Sequence, residues 1–216
     1  MDEIEFNQLS KELQDLSQLI PLNWGMIQND QTDQQINMFK INDVSTLEEK
    51  IKDLAEKDQN YFRRRWFLWQ CARLDEYLFY SIPTVIANPL SKDQAWDIEF
   101  NGDSNLRFDL KGTVVPKILQ ADFTLADEKK IIDFYYKNQS KGVRDNYQNR
   151  IFVVHHSFKN LDHSMNLRCQ WELKRNAFQA FSAQISEKKT YKNRKRVQAK
   201  CLFILENELG EHTFQF

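Results

Sequence analysis

Residues 96–113, WDIEFNGDSNLRFDLKGT, decide the fold of this chain, because they predict two short strands joined by a turn. On the first strand apolar residues alternate with Asp97 and Glu99, and on the second they alternate with Arg107, Asp109 and Lys111. Because successive side chains of a strand point to opposite faces, these five charged residues share one face of the hairpin. A slip of one residue would place carboxylates among the aromatic side chains, so the pattern selects registers that keep the charged face intact.

The simplest such register, centred on the turn, sets Asp97 opposite Asp109 and Glu99 opposite Arg107. The second pair is a cross-strand ion pair, whereas the first brings two like charges face to face, which is unfavourable. A divalent cation held by both aspartates, with the ammonium of Lys111 beside it, would remove that conflict. A shift of two residues would leave all of these groups on one surface, so the hairpin gathers two acids and a lysine in either register.

This arrangement resembles the active-site signature of the PD-(D/E)XK phosphodiesterases, the restriction-endonuclease-like nucleases. Asp97 corresponds to the first acid of the signature, and Asp109-Leu110-Lys111 corresponds to the (D/E)-x-K tripeptide. The chain departs from the family at residues 95–96, where Ala-Trp precedes the first acid in place of the usual proline. The resemblance covers about residues 61–157, and it implies a metal-dependent nuclease.

The resemblance also implies the roles of the site residues. Asp97, Asp109 and the backbone carbonyl of Leu110 would bind Mg²⁺, for which Mn²⁺ would substitute, and Lys111 would lie against the attacked phosphate or the nucleophilic water. Many relatives carry a glutamate on the preceding helix, four residues after a small residue, which nominates Glu76 as a further catalytic residue.

The carboxylate next to Glu76 in the sequence is an alternative to it. Phe67, Cys71, Leu74 and Leu78 form an apolar stripe at helical spacing, and Asp75 lies nearer to this stripe than Glu76 does. Which of the two carboxylates faces the site is therefore open at this stage.

Hydrophobic periodicity along the chain predicts an α/β fold with a restriction-endonuclease-like αβββαβ core, in which a mixed sheet is flanked by helices and preceded by an N-terminal helical extension. Helices are predicted at residues 3–20, from Ser45 onward through a capping box, and at residues 60–80, 125–138 and 170–187. Besides the hairpin, strands are predicted at residues 114–119, 150–156, 201–206 and 212–216. Residues 21–42 are polar and predict a loop, in which residues 36–41 are a candidate short strand.

The charge distribution divides the chain into an acidic head and a basic body. The net charge is −1, but residues 1–60 carry 13 acidic and 5 basic side chains, which gives −8, and the remainder carries the balancing excess of basic residues. We therefore predict an acidic N-terminal extension at residues 1–58 and a nuclease-like domain at residues 59–216. The acidic segment is a candidate surface for a second copy of the chain, for another protein, or for a lid over a basic groove.

Basic residues outside the hairpin predict contacts with nucleic acid, because lysine and arginine neutralise phosphates. We expect the nucleic acid to be DNA rather than RNA. A first cluster, Arg63 and Arg64, is flanked by aromatic residues that either stack on bases or pack in the core. A second cluster spans residues 188–200, contains Lys189, Lys192, Arg194, Lys195 and Arg196, and is alternatively a solvated loop before a final strand. A third and smaller set comprises Lys141, Arg144 and Arg150.

Other function classes lack their sequence signals. The chain is 41% apolar and 28% charged, which is typical of a soluble globular protein, and it has no signal peptide or membrane-spanning run, so we expect a cytoplasmic protein without a membrane partner. The three cysteines form no CxxC pair, His155-His156 lacks a closing pair of zinc ligands, and no glycine-rich phosphate loop is present. The alternative to a nuclease is a nucleic-acid-binding or assembly module that keeps the fold without catalysis.

Overall fold

The computed structural model describes residues 1–21, 30–89, 96–138, 148–185, 191–192 and 197–216. The chain forms two compact units, Met1–Leu74 and Asp75–Phe216, and the boundary between them falls within one long helix. The division into domains predicted at residues 58 and 59 stays a prediction.

The first unit is helical in its described part. Its helices are α1 (Glu3–Leu19), α2 (Asp30–Asp33), α3 (Val44–Ile51) and the N-terminal part of α4 (Glu56–Tyr80), with a 3₁₀ turn at Met38–Lys40. The predicted first helix is confirmed: Asp2 caps it by accepting the N–H of Glu5 at 2.9 Å, and its apolar stripe is buried.

Three details of this unit differ from the prediction. The candidate strand at residues 36–41 is wrong, because this segment forms a 3₁₀ turn whose Met38 and Ile41 are buried. Helix α3 begins one residue before Ser45, since Asp43 rather than Ser45 accepts the N–H of Thr46, at 2.7 Å. Helix α4 begins at Glu56 instead of residue 60. At the start of α3, the side chain of Asp43 therefore acts as the cap in place of the capping box predicted at Ser45.

The second unit contains one mixed sheet flanked by helices, which confirms the predicted α/β class. Its strands are β1 (Val85–Ala87), β2 (Ile98–Phe100), β3 (Arg107–Val114), β4 (Arg150–Ser157), β5 (Tyr191–Lys192), β6 (Gln198–Glu206) and β7 (His212–Gln215). Its further helices are α5 (Glu128–Asn138) and α6 (Trp171–Gln184), and 3₁₀ turns span Ser104–Leu106, Lys117–Leu119, Leu125–Asp127 and Leu161–Cys169.

The order of strands in the sheet is β1-β2-β3-β4-β6-β5, and β7 pairs with the C-terminal half of β6. The β1-β2 and β2-β3 pairs are antiparallel, whereas β3, β4 and β6 run parallel to one another. The parallel neighbours are joined through α5 and α6, as parallel pairing requires a crossover connection. All eight residues of β4 are buried, which is typical of a central parallel strand.

The hairpin has the symmetric register that the charge pattern predicts. Ile98 pairs with Phe108 and Glu99 with Arg107, and the N–H of Asp97 donates to the carbonyl of Phe108 at 2.9 Å. Glu99 Oε2 lies 2.5 Å from Arg107 Nε, so the predicted cross-strand ion pair is present. Asn101, with a φ of 56°, and Gly102, with a φ of 68°, supply the left-handed backbone that turns the chain.

The three-stranded part of the sheet differs from the prediction in which segment supplies its third strand. The strand predicted at residues 114–119 is wrong, because β3 ends at Val114 and Pro116 caps the 3₁₀ turn Lys117–Leu119. The third strand is instead β1, a segment of three residues just after Pro83 that pairs with β2. Its pairing comes from tertiary context rather than from an alternating pattern of its own, which is too short to detect.

Each face of the sheet has its own apolar core. On one face α5 packs over residues of β4 and β6, with Tyr135 stacked on Phe152 at 5.6 Å between ring centroids. On the other face Phe79 of α4 stacks on Phe178 of α6 at 4.1 Å and meets Phe100 of β2 edge to face. These contacts bring the C-terminal turn of α4 and the strand β2 together, which determines where the acids of both elements lie.

The three cysteines, Cys71, Cys169 and Cys201, are free and buried, as expected from their spacing. Within the described residues, none of the helices combines the length and the apolar character needed to cross a membrane.

Candidate active site

Asp97 lies immediately before β2 and is half-buried. Its Oδ2 accepts the backbone N–H of Leu110 on the neighbouring strand at 2.7 Å. The Asp109 carboxylate lies within hydrogen-bonding reach of it, as the symmetric register of the hairpin requires. Burial raises the pKa of Asp97, and the charge of Asp109 raises it further, while the Leu110 N–H and Lys111 act in the opposite direction.

Asp109 is almost fully buried in β3, and each of its oxygens is bound by a different cation. Lys111 Nζ lies 2.7 Å from Oδ1, and Arg150 Nε lies 3.0 Å from Oδ2. The side chain of Lys111 is 36% exposed, whereas that of Arg150 is 7% exposed. The conflict between the two aspartates is therefore compensated by two cations, one at the surface and one in the interior.

The helix α4 carries the two carboxylates between which the sequence leaves the choice open. Asp75 is 1% exposed and forms an ion pair with the fully buried Lys174 of α6. Glu76 is half-buried, and its charge, together with that of Asp97, acts on the phenol of Tyr80. The pKa of Tyr80 is raised first by burial and then by these two carboxylates. Asp75 thus belongs to the interior, and Glu76 lies on the side of the helix that also faces Tyr80.

Two further residues at this site, Arg150 and Tyr136, are not identified as site residues by any motif in the sequence. Arg150 belongs to a predicted nucleic-acid-contacting set, but the structure corrects this, because the side chain is buried against Asp109. The ring of Tyr136 lies 5.1 Å from the guanidinium of Arg150, and the Tyr136 hydroxyl donates to the carbonyl of Gln148 at 2.7 Å. Only the parallel register that pairs Asp109 with Arg150 brings these groups together, and that register joins segments 41 residues apart.

The predicted nucleic-acid-binding residues fall into two groups. Arg63 makes a bidentate ion pair with Glu48, at 2.5 Å and 2.7 Å, and is thereby held within the first unit. Arg64 is half-buried, while the neighbouring aromatic residues Phe62 and Trp66 are fully buried and belong to the core. Lys192 lies in β5. The remaining predicted contact residues lie outside the described residues: Lys141, Arg144, Lys189, Arg194, Lys195 and Arg196.

The donor set at the hairpin suits a hard cation. It offers two carboxylates, and the carbonyl of Leu110 lies in the backbone between Asp109 and Lys111. Mg²⁺ prefers such oxygen donors, keeps several waters and commonly binds through one or two carboxylates. Over the parts of the chain that the structure describes, no cluster of three or more His, Cys, Asp or Glu side chains forms a metal-binding group, so a metal here would depend on backbone and water ligands.

Comparisons with protein-family models, with curated proteins and with solved structures find no match to this chain. The geometry of the hairpin and its surroundings is therefore the basis of the functional argument.

Proposed function

We propose that this protein is a metal-dependent nuclease that hydrolyses phosphodiester bonds, with its active site at Asp97, Asp109 and Lys111. The observation that carries the proposal is the register of the hairpin, which brings two aspartates within hydrogen-bonding reach of each other and places a lysine beside them. Like charges in such proximity are unfavourable without compensation, and they recur at functional sites.

The topology around the hairpin supports the same proposal. Helix α4, strands β1, β2 and β3, helix α5 and strand β4 follow one another in the αβββαβ order. The pairing within this segment is antiparallel, antiparallel and then parallel, which makes a mixed sheet of the kind that the resemblance implies. The order of elements along the chain does not depend on the D-x-K motif, so the agreement of the two features strengthens the proposal.

The residues take distinct roles in the proposed reaction. Asp97, Asp109 and the Leu110 carbonyl would hold Mg²⁺ or Mn²⁺, which lowers the pKa of a bound water and neutralises charge on the phosphate. Lys111, which is 36% exposed, reaches the surface and stabilises negative charge on the attacked phosphate as a point charge. Glu76, half-buried near Tyr80, orients water at the edge of the site. We propose DNA as the substrate, with RNA as the second choice.

The alternative function is a nucleic-acid-binding or assembly module without catalysis. It is favoured by the two ion pairs of Asp109, which compensate this carboxylate without a metal. The two proposals differ at Asp109: a nuclease requires a divalent cation to replace Lys111 at this carboxylate, whereas a non-catalytic module keeps the Lys111 ion pair.

A cleavage assay separates the two functions. Plasmid, linear duplex, single-stranded DNA and RNA are each incubated with the full chain in Mg²⁺, Mn²⁺ or EDTA. We expect metal-dependent cleavage that falls at least about 100-fold in Lys111→Met, which removes the charge and retains most of the side chain's volume. The matched control is Lys117→Met, an exposed lysine on a 3₁₀ turn, which retains activity. Binding without cleavage under every condition would favour the non-catalytic module.

A further inference from the structure

Arg150 is a buried arginine whose position is determined by three separate contacts. Its Nε lies 3.0 Å from Asp109 Oδ2, its guanidinium lies over the ring of Tyr136 at 5.1 Å, and its backbone is paired with β3 on one side and β6 on the other. The hydroxyl of Tyr136 is in turn anchored on the carbonyl of Gln148. An arginine held in this way has lost most of its rotational freedom before any ligand arrives.

The two cations at Asp109 differ in how readily they can leave. Lys111 is 36% exposed and has a flexible stem, so it can move from Oδ1 into solvent or onto a phosphate. Arg150 is 7% exposed, and leaving Asp109 would deprive a buried guanidinium and the buried Oδ2 atom of their ion pair. The structure therefore distinguishes the two oxygens: Oδ1 is exchangeable and Oδ2 is permanently bound.

We infer that Arg150 is a positioning residue that holds Asp109 by Oδ2 and so presents Oδ1 to a divalent cation. This inference rests on the proposed function, because it assigns a role toward the same metal. It adds to that function a residue from a different strand, outside the D-x-K tripeptide. Outer-sphere partners that orient a ligand commonly change metal affinity by about 10- to 100-fold when removed.

An opposing effect makes the inference testable in sign as well as in size. Arg150 is itself positive, and its charge near the site repels a second cation. If orientation dominates, removing the guanidinium weakens metal binding. If repulsion dominates, the same change strengthens binding. We expect orientation to dominate, because Asp109 without Arg150 would keep a buried oxygen that has lost its partner and the carboxylate would rotate.

The test measures Mn²⁺ binding to the full chain from the loss of the free-ion electron paramagnetic resonance signal, without substrate. Four proteins are compared: the unmodified chain, Arg150→Gln, Arg150→Lys and Arg107→Gln. Arg107 is the matched control, since it also pairs with a buried carboxylate on this face of the sheet, Glu99, but does not contact Asp109. Thermal unfolding of each variant establishes that it is folded.

We expect Arg150→Gln to bind Mn²⁺ at least about 10-fold more weakly than the unmodified chain, with Arg107→Gln unchanged. Arg150→Lys keeps the charge but loses the planar guanidinium, and we expect binding at least about threefold weaker. If Arg150→Gln does not fold, the lysine variant decides, and binding equal to that of the unmodified chain overturns the inference.

Other outcomes separate the inference from the proposed function. Unchanged or tighter Mn²⁺ binding in Arg150→Gln overturns the inference and leaves the nuclease proposal intact. An unmodified chain that neither binds Mn²⁺ nor cleaves any substrate overturns the proposed function, and the inference falls with it.

Discussion

The Asp97 carboxylate accepts the backbone N–H of Leu110 at 2.7 Å, across the gap where the β2-β3 ladder begins. Asp97 thereby ties together the two strands that carry the proposed metal ligands. Its Oδ2 accepts the Leu110 N–H in place of a backbone carbonyl, and this structural contribution does not require a negative charge. The charge itself opposes Asp109, so the structural and the proposed catalytic contributions of Asp97 are separable by mutation.

We expect the free energy of unfolding of Asp97→Asn to equal that of the unmodified chain or to be slightly higher. Its side-chain oxygen can still accept the Leu110 N–H, and the repulsion from Asp109 is removed. Asp97→Ala loses the hydrogen bond and should cost about 1–2 kcal/mol. Urea denaturation at pH 7 measures both values. An equal loss in the two variants would show that the charge, and not the hydrogen bond, stabilises this site.

The buried ion pair between Asp75 and Lys174 gives a second prediction. Lys174→Met leaves Asp75 without its cation in the interior, which should cost about 3–5 kcal/mol in the free energy of unfolding. The double change Asp75→Leu with Lys174→Met should recover most of that loss, because no buried charge remains.

The control for this pair is Lys130→Met, which removes an exposed partner of Asp127 at 2.7 Å and should leave the free energy of unfolding almost unchanged. Chemical denaturation of all four proteins supplies the comparison. A double variant no more stable than Lys174→Met alone would contradict the account of Asp75 as an interior residue that requires a cation.

The absence of a side chain at Gly112 is explained by Arg168. A Cβ at this position would overlap the guanidinium of Arg168, which is 3% exposed and donates to the Gly112 carbonyl at 3.3 Å. We expect Gly112→Ala to destabilise the chain by about 2 kcal/mol, since a buried arginine must move. In an Arg168→Leu background the same change should cost less. A thermodynamic cycle over the four proteins tests this, and strictly additive effects would exclude the proposed overlap as the cause.

His156 predicts a pH dependence of stability. It packs edge to face against Phe123 and Phe158, and burial lowers its pKa to about 4. In the unfolded chain His156 has a pKa near 6.5, so between about pH 6.5 and pH 4 it is protonated in the unfolded chain and neutral in the folded chain. Stability is therefore retained above that window and lost within it, by on the order of 2 kcal/mol.

The matched variant is His156→Phe, which keeps the aromatic contacts and cannot be protonated. Because His156 Nδ1 is buried without a hydrogen-bond partner within the described structure, the variant should match the unmodified chain at pH 7. At pH 5 it should be the more stable of the two, as urea midpoints at both pH values would reveal. Identical pH profiles would contradict the buried, neutral histidine.

Alternation within a strand is a local property, and it accounts for what could be predicted about the hairpin. The charged face of residues 97–111 and the pairing of Glu99 with Arg107 follow from a period of two residues. The buried strand β4 is instead predicted from a short, mostly apolar run, which is typical of a strand covered on both faces. Strand β1 could not be predicted in this way, because three residues are too few to establish a period. Its place in the sheet depends on β2 being available as a partner.

The surroundings of the two aspartates have a different origin. Arg150 reaches Asp109 from 41 residues away, and Lys174 neutralises Asp75 from the next helix but one along the chain. Neither pairing leaves a mark on local periodicity, since burial of a charge is compensated by whichever opposite charge the packing brings near it. Local alternation thus specified which acids share a face, and only the packing of β4 and α6 against that framework decided which cations would accompany them.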